Sequence, residues 1–340
     1  MSEDIHIRRV ARRDLVPKTR AYSQMLWLSA MQDGEHMKFW LGVTDNRWFD
    51  FNAAHGFDEV NFWQPSSRAP FTNLPAGTPF LFKLKRPHNH IAGGGRFVRH
   101  TTLPLTMAWE VFGQQNGTDS LRHLVELISD NAHAQAGTEH VIGCTVVSEV
   151  FFLPRDAWIP VADLFPGNLM QGKTYDSEAP DGATLWMRIL AALPVQSASR
   201  AIAEEGARYG QEYLQRGRLG QAAFRTLVLD AYGRKCALTG ESTAPVLEAA
   251  HIRPYADQGR HVTSNGLLLR SDFHKLFDLG LLTVEPDYHI RISPRIRDQY
   301  FNGKAYYRLD GQQLAAIPEL AGDQPDRDAL RWHNDHRFIA

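Results

Sequence analysis

Residues Leu247–Asp278 read LEAAHIRPYADQGRHVTSNGLLLRSDFHKLFD. The stretch parses as strand, loop, strand and the start of a helix. LEAAHI is short and apolar and stops before Pro254, and GLLLRS is a second apolar run of strand length. The intervening PYADQGRHVTSNG has turn residues at both ends. Ser271 is placed to cap the helix DFHKLFD, and Gly280 to end it. This arrangement brings three polar side chains into one neighbourhood: His251, Asn265 and His274.

Their chemistry suggests a division of labour. A neutral imidazole at the end of a buried strand, His251, can take a proton from water. An amide at the end of the returning strand, Asn265, next to Gly266, can hold the loop and orient the imidazole. His274 and Asp278 lie four residues apart on one helix face. An imidazole nitrogen beside a carboxylate suits a divalent cation that keeps water ligands, and such a cation stabilises charge in phosphate-ester hydrolysis.

The stretch resembles the HNH nuclease family, the ββα-metal fold. His251, Asn265 and His274 match its three signature positions in order and spacing. AAHI, SNGLLL and DFHKLFD resemble the subgroup found in bacterial predicted restriction endonucleases. The resemblance implies His251 as general base, Asn265 as the residue holding the loop and the base, and His274 as a metal ligand. Asp278 matches a further ligand position. Many members carry Asp or His immediately before the base, where this chain has Ala250. Glu248, two residues earlier on the strand, is one substitute ligand, and Asp272 is another. The implied metal is Mg2+, Mn2+ or Ni2+.

The chain has 340 residues, 37 basic and 38 acidic, with a formal net charge of −1. That length predicts two or three domains. The charge balance neither announces nor excludes nucleic acid, because cations can cluster on one face. Two cysteines, Cys144 and Cys236, rule out a C-x-x-C zinc ribbon and any disulfide framework. Few cysteines and the lack of a long apolar run or signal core predict a cytoplasmic protein without membrane contact.

Residues 1–36 are an N-terminal extension in which Arg8, Arg9, Arg12 and Arg13 cluster. They make either a DNA-backbone arm or a solvated terminus. Residues 37–193 read as many short, turn-bounded strands, with helices near Leu105–Gly113 and Ser120–Asn131 and no βαβ rhythm. That pattern predicts a small mixed β-barrel. Gly93–Gly95 suit a tight turn or a close backbone approach. Residues 194–219 are a linker and helix, and 220–340 form the domain that contains the HNH-like stretch. After it, LLTVEPDYHIRI predicts a hairpin turning at Glu285–Tyr288. The remainder reads as turns and one short strand, with Trp332 and His333 packing back. The predicted class is α+β.

Residues 38–180 resemble the PUA superfamily, which includes EVE and SRA domains. The phrases carrying this are GVTDNRWFDF, DEVNFWQP, LPAGTPFLFKLK and QGKTYD. The resemblance implies a pocket for a flipped, modified base. Trp48, Phe49 and Trp63 are the candidate stacking residues, and Asp50, Asn61 and Gln64 the candidate edge readers. Lys173, Arg216, Arg218, Arg225, Arg253 and Lys275 are candidate contacts to the DNA backbone. Together the two halves imply a modification-dependent endonuclease acting on double-stranded DNA. A single HNH site cuts one strand, so a double-strand break implies a homodimer. Two other readings stay open: a nonspecific or RNA-directed nuclease, and a DNA-binding protein with a degenerate nuclease domain.

Overall fold

The computed structural model describes residues 37–67, 74–132, 135–164, 172–192, 220–257 and 259–340. Its first half contains β1 (Lys38–Thr44), α1 (Asn46–His55), β2 (Glu59–Gln64), β3 (Pro79–Leu84), β4 (His90–Pro104), α2 (Leu105–Phe112), α3 (Leu121–Ala132), β5 (Val141–Phe152), β6 (Ile159–Pro160), β7 (Lys173–Asp176) and α4 (Pro180–Ala192). Its second half contains α5 (Gln221–Ala231), β8 (Leu247–His251), β9 (Gly266–Arg270), α6 (Ser271–Asp278), β10 (Leu282–Val284), β11 (Ile290–Ile292), α7 (Arg295–Tyr300), α8 (Lys304–Tyr307) and α9 (Arg327–His336). The class is mixed α+β. The chain divides into two compact units. One comprises Met1–Asp58, Leu74–Phe97 and Glu149–Gly217, and the other Glu59–Asn73, Val98–Ser148 and Arg218–Ala340.

In the first unit β1 runs parallel to β3 and antiparallel to β7, with Trp40 opposite Phe80 and Phe39 opposite Tyr175. β3 pairs antiparallel with β4. Phe39, Leu41, Leu81, Ile91 and Tyr175 pack with Leu185, Trp186 and Ile189 of α4. The Phe39 and Trp186 rings stack at 4.9 Å. Each such side chain contributes roughly 1.5–3 kcal/mol on full burial. The glycine run sits mid-strand in β4 as a close approach, not a turn: a Cβ on Gly93 would lie 2.3 Å from the Phe151 carbonyl oxygen. Residues 46–55, read from sequence as part of a strand-rich region, form a helix. Asp45 caps it by accepting from the Arg47 amide, and Gly56 ends it in the left-handed region. Among the described residues this unit's strands run in the open order β4-β3-β1-β7, not the closed barrel expected.

In the second unit β2 pairs antiparallel with β5. β2 is buried almost throughout, so its polar residues need partners, and they have them. Asn61 donates to Asn116 Oδ1 at 2.8 Å and contacts Cys144 Sγ at 3.4 Å. Glu59, 2 % exposed, accepts from the backbone N–H groups of Gly220 (3.0 Å), Ala222 (3.0 Å) and Ala223 (3.2 Å). Gly220, the N-cap of α5, has no side chain to serve these orphan donors. A carboxylate from a strand does so, at the end of the helix where negative charge is favoured.

α2 and α3 lie where expected. The β10–β11 hairpin turns as expected, with Tyr288 in the left-handed region at φ 72°. Downstream, the sequence reading of turns and one short strand gives way to three short helices, α7, α8 and α9. The last packs back: His333 stacks on Phe277 at 3.7 Å and its Nδ1 meets Thr283 Oγ1 at 2.8 Å. The expected linker at 194–219 and extension at 1–36 lie outside the described residues.

Candidate active site

The site is a two-stranded hairpin and the helix that follows it. β8 and β9 pair antiparallel with His251 opposite Gly266. Leu247, Ala250, Leu267, Leu268 and Leu269 are fully buried and anchor the hairpin. α5 packs against it so closely that a Cβ on Gly266 would lie 2.4 Å from Val228 Cγ2 and 3.1 Å from Phe224 Cζ. Helix α6 begins at Ser271, with Arg270 rather than Ser271 in the capping position. Gly280 follows its end at φ 70°.

Asn265, 5 % exposed, ties the loop between the strands. Its Oδ1 accepts from the Arg253 amide, and its Nδ2 donates to the Arg253 and Arg260 carbonyls, each at 2.9 Å. Its own carbonyl accepts from Ile252 N at 2.9 Å. Asn265 therefore closes the loop from both sides.

His251 is set by two rings instead. Phe224 of α5 lies flat against it, centroids 3.8 Å apart and planes 11° apart. His251 Nε2 is 3.2 Å from His261 Nδ1. Burial, reinforced by the like charge that His261 and His274 would carry, holds the His251 pKa down to about 4. Burial also lowers that of His261. Both rings are neutral at pH 7, the state in which an imidazole accepts a proton.

His274 lies between two carboxylates. Nδ1 is 2.6 Å from Glu248 Oε2, and Nε2 is 3.5 Å from Asp278 Oδ2. Asp272, the other substitute considered, is committed elsewhere: Arg270 grips it through both oxygens, at 2.9 and 2.6 Å, and holds its carboxyl below the usual carboxylate range. Ala250 is fully buried, so its place is filled by packing.

Among the described residues no three His, Cys, Asp or Glu side chains converge to hold a metal ion as they stand. The donor set nevertheless suits a hard divalent cation. With Nδ1–H given to Glu248, His274 presents the Nε2 lone pair beside Asp278, and a carboxylate on the far nitrogen is the usual support of a ligating histidine. Two ligands held at about 2.1 Å from one ion in neighbouring positions sit about 3 Å apart, near the Nε2–Oδ2 separation observed.

The residues expected to line a base pocket are not gathered. Trp48 and Phe49 are core residues of the first unit. Trp48 meets Phe82 edge-on at 5.3 Å, and Phe49 meets Phe152 and Trp158. With Trp48 1 % and Phe49 2 % exposed, neither ring has a face open to a base, which corrects the stacking role expected of them. Asp50 is exposed on the same helix. In the second unit Asn61 is fully buried in its bond to Asn116, and Trp63 Nε1 donates to the Asn116 carbonyl at 2.9 Å. Gln64 ends that strand half-buried.

Of the expected backbone contacts, Lys173 is exposed with its ammonium over Tyr175, and Lys275 is exposed on α6. Arg225 donates to the Glu110 carbonyl at 2.8 Å. Arg253 donates to the Asp257 carbonyl at 2.6 Å and lies over Trp332. Arg216 and Arg218 fall outside the described residues. Sequence reasoning missed His261. The available signal for His261 was a histidine in the loop between two signature positions, four residues before Asn265.

Residues 236–285 match the HNH endonuclease family. The match covers the whole ββα frame, from the turn before β8 through β10, so an HNH endonuclease domain is present there. No curated protein matches the chain. Two solved mutants of ZmASCH from Zymomonas mobilis align at 13 % and 10 % identity, covering 44 % and 43 % of this chain and 95 % and 96 % of theirs, with TM-scores of 0.30 and 0.29. A structure described as the modification dependent TagI restriction endonuclease aligns at 15 % identity over 81 % of this chain and 74 % of its own, with a TM-score of 0.25. These scores are too low to carry a shared fold. Among the described residues no helix is long and apolar enough to cross a membrane.

Proposed function

We propose that the chain is a DNA endonuclease whose HNH domain hydrolyses phosphodiester bonds and whose remaining residues select modified DNA. One observation carries the hydrolytic reading: a half-buried, neutral imidazole, His251, on the same ββα frame as the His274–Asp278 pair. His251 takes a proton from water, and the oxygen so activated attacks phosphorus. The bond from phosphorus to the leaving oxygen breaks, and that oxygen is protonated from solvent. His274 and Asp278 would hold a divalent cation, Mg2+, Mn2+ or Ni2+, with Glu248 orienting His274; when bound it supplies Lewis-acid stabilisation of charge on the phosphate and leaving oxygens. Lys275 and Arg253 supply positive charge for the DNA backbone. Asn265 keeps the loop after the base in place.

The selection of modified DNA rests on a physical need. A ββα site contacts backbone more than bases, and an unrestrained nuclease would cut its own chromosome. A sensor of bases absent from that chromosome supplies the restraint. The burial of Trp48 and Phe49 moves the search for its stacking surface to other residues. Cutting both strands takes two such sites, hence a homodimer on DNA.

The test is digestion of matched duplexes containing cytosine, 5-methylcytosine, 5-hydroxymethylcytosine or N6-methyladenine, with RNA alongside, in each of the three metals. Cleavage confined to a modified duplex and abolished in His251→Ala is the expected result. Equal cutting of plain and modified DNA removes the sensor role. Cutting of RNA alone, or of nothing, removes the proposal.

A further inference from the structure

We propose that His261 is a positioning residue that holds the base, His251, in the one tautomer able to accept a proton from water. The inference rests on the hydrolytic reading above and assigns a role to a residue outside the three signature positions.

Three contacts define the surroundings of His251. Phe224 of α5 covers one face of its ring, 3.8 Å away at 11°. His261, from the loop, meets its edge, with centroids 4.9 Å apart and planes at 88°. Gly266 lies opposite on β9. Among the described residues the other titratable group whose charge His251 would feel is His274 of α6. Phe224 fixes the plane of the imidazole and nothing more. A half-turn of the ring about its bond to Cβ leaves the stack unchanged while exchanging the edges that bear Nδ1 and Nε2. What selects one edge is the bond from Nε2 to His261 Nδ1 at 3.2 Å. His261 is itself braced edge-on against the same phenyl ring, 5.8 Å and 79°.

The direction of that bond matters. If His261 donated, His251 Nε2 would spend its lone pair on the bond and its proton would sit on Nδ1, leaving no free site for a proton from water. If His251 donates Nε2–H to His261 Nδ1, the Nδ1 lone pair of His251 is free. Only the second arrangement is a base. It also improves during the reaction: once Nδ1 has taken the proton, the ring is a cation and its Nε2–H becomes a stronger donor to His261. The bond is thus stronger after proton transfer than before, which is the condition for accelerating the step rather than merely binding substrate.

The full-length protein supplies the test, with single-turnover cleavage of the preferred duplex beside wild type and His251→Ala. His261→Ala should lower the rate constant about 10- to 100-fold, within the range for acid–base assistance, with KM changed less than threefold. His261→Asn puts an amide oxygen close to where Nδ1 stood and should recover most of the loss. His261→Gln places its oxygen farther out and should not. His261→Asp sets a carboxylate there and should move the acidic limb of the rate profile up by about one pH unit. A purely structural role would move none of these in that order. An independent readout is long-range proton–nitrogen NMR of 15N-histidine-labelled, metal-free protein, which should show His251 protonated on Nε2 in wild type and as a mixture in His261→Ala. Wild-type His251 carrying its proton on Nδ1 overturns the proposal. So does a His261→Ala enzyme that cuts at the wild-type rate while His251→Ala is dead; the endonuclease reading would survive that result. Should wild type cut nothing, the endonuclease reading falls and the positioning role falls with it.

Discussion

Glu59 offers the sharpest quantitative test of the architecture. Three backbone donors of the first turn of α5 end on its carboxylate, Gly220 on Oε2 and both Ala222 and Ala223 on Oε1. Glu59→Gln keeps one carbonyl-type oxygen and turns the other into a donor. If the retained oxygen serves Ala222 and Ala223, the new NH2 faces the Gly220 N–H, so one bond is lost and the charge at the helix N-terminus with it. A lost charge-assisted hydrogen bond contributes about 1.5–3 kcal/mol, and a partly buried charge at a helix end up to about 2 kcal/mol. Since the two overlap, about 2 kcal/mol is expected for Gln. Glu59→Ala strands all three donors and leaves a cavity, and about 4 kcal/mol is expected, beyond the usual loss of a cap. The assay is urea unfolding of the full chain at pH 7, followed by tryptophan fluorescence and by far-UV circular dichroism. Both variants should lower the midpoint in the stated order. A change under about 0.5 kcal/mol in Ala would refute the claim that this carboxylate holds α5. Phe224 on that helix should then be watched as well: cleavage by Glu59→Gln at low temperature should fall no more than its folded fraction.

Other outcomes follow from the same geometry. Gly266→Ala should destabilise by about 1–3 kcal/mol through overpacking, because its Cβ meets Val228 Cγ2 at 2.4 Å; the double variant with Val228→Ala should recover part of that loss in the same urea assay. Asn265→Ala removes three bonds from a buried loop anchor and should cost about 2–4 kcal/mol and abolish cleavage; wild-type activity in the folded variant would argue against the anchor. Glu248→Gln should weaken divalent-cation binding about tenfold by calorimetry, and unchanged affinity would remove it as the support of His274. Burial holds His333 down to about 4, below the ordinary 6.5, so the unfolded chain takes up the proton first as pH falls. Stability is therefore intact above about pH 6.5 and lost between there and pH 4. The share from His333 between pH 7 and pH 5 is about 2 kcal/mol, and His333→Gln should flatten that part of the profile.

The ββα frame was legible in the sequence because its chemistry demands particular residue types at particular elements. His251, Asn265 and His274 sit on β8, at the head of β9 and on α6 as read. What escaped was whatever depends on partners far along the chain. EVNFWQ alternates polar and apolar residues and looks half-exposed, yet β2 is buried because Glu59 and Asn61 find α5, Asn116 and Cys144. Trp48 was read as a binding aromatic because acids and amides flank it. The helical spacing of Trp48, Phe49 and Asn52, with Asp45 ahead as a cap, was the signal that places both rings in a core. His261 carried no periodic signature, as loop residues rarely do. Its place beside His251 comes from the loop that Asn265 closes.

The cap on α5 also bears on how the protein is made. Glu59 leaves the ribosome before the donors it serves, since Gly220 lies 161 residues downstream. At about 5–20 residues per second, synthesis of that span takes roughly 8–32 seconds. Throughout that interval the carboxylate and the strand bearing it have no helix to close over them. The second unit, assembled from Glu59–Asn73, Val98–Ser148 and Arg218–Ala340, cannot be completed until the last of its three pieces emerges. The β8–β9 hairpin belongs to the last of those pieces and is consequently among the later parts of the nascent chain to become ordered.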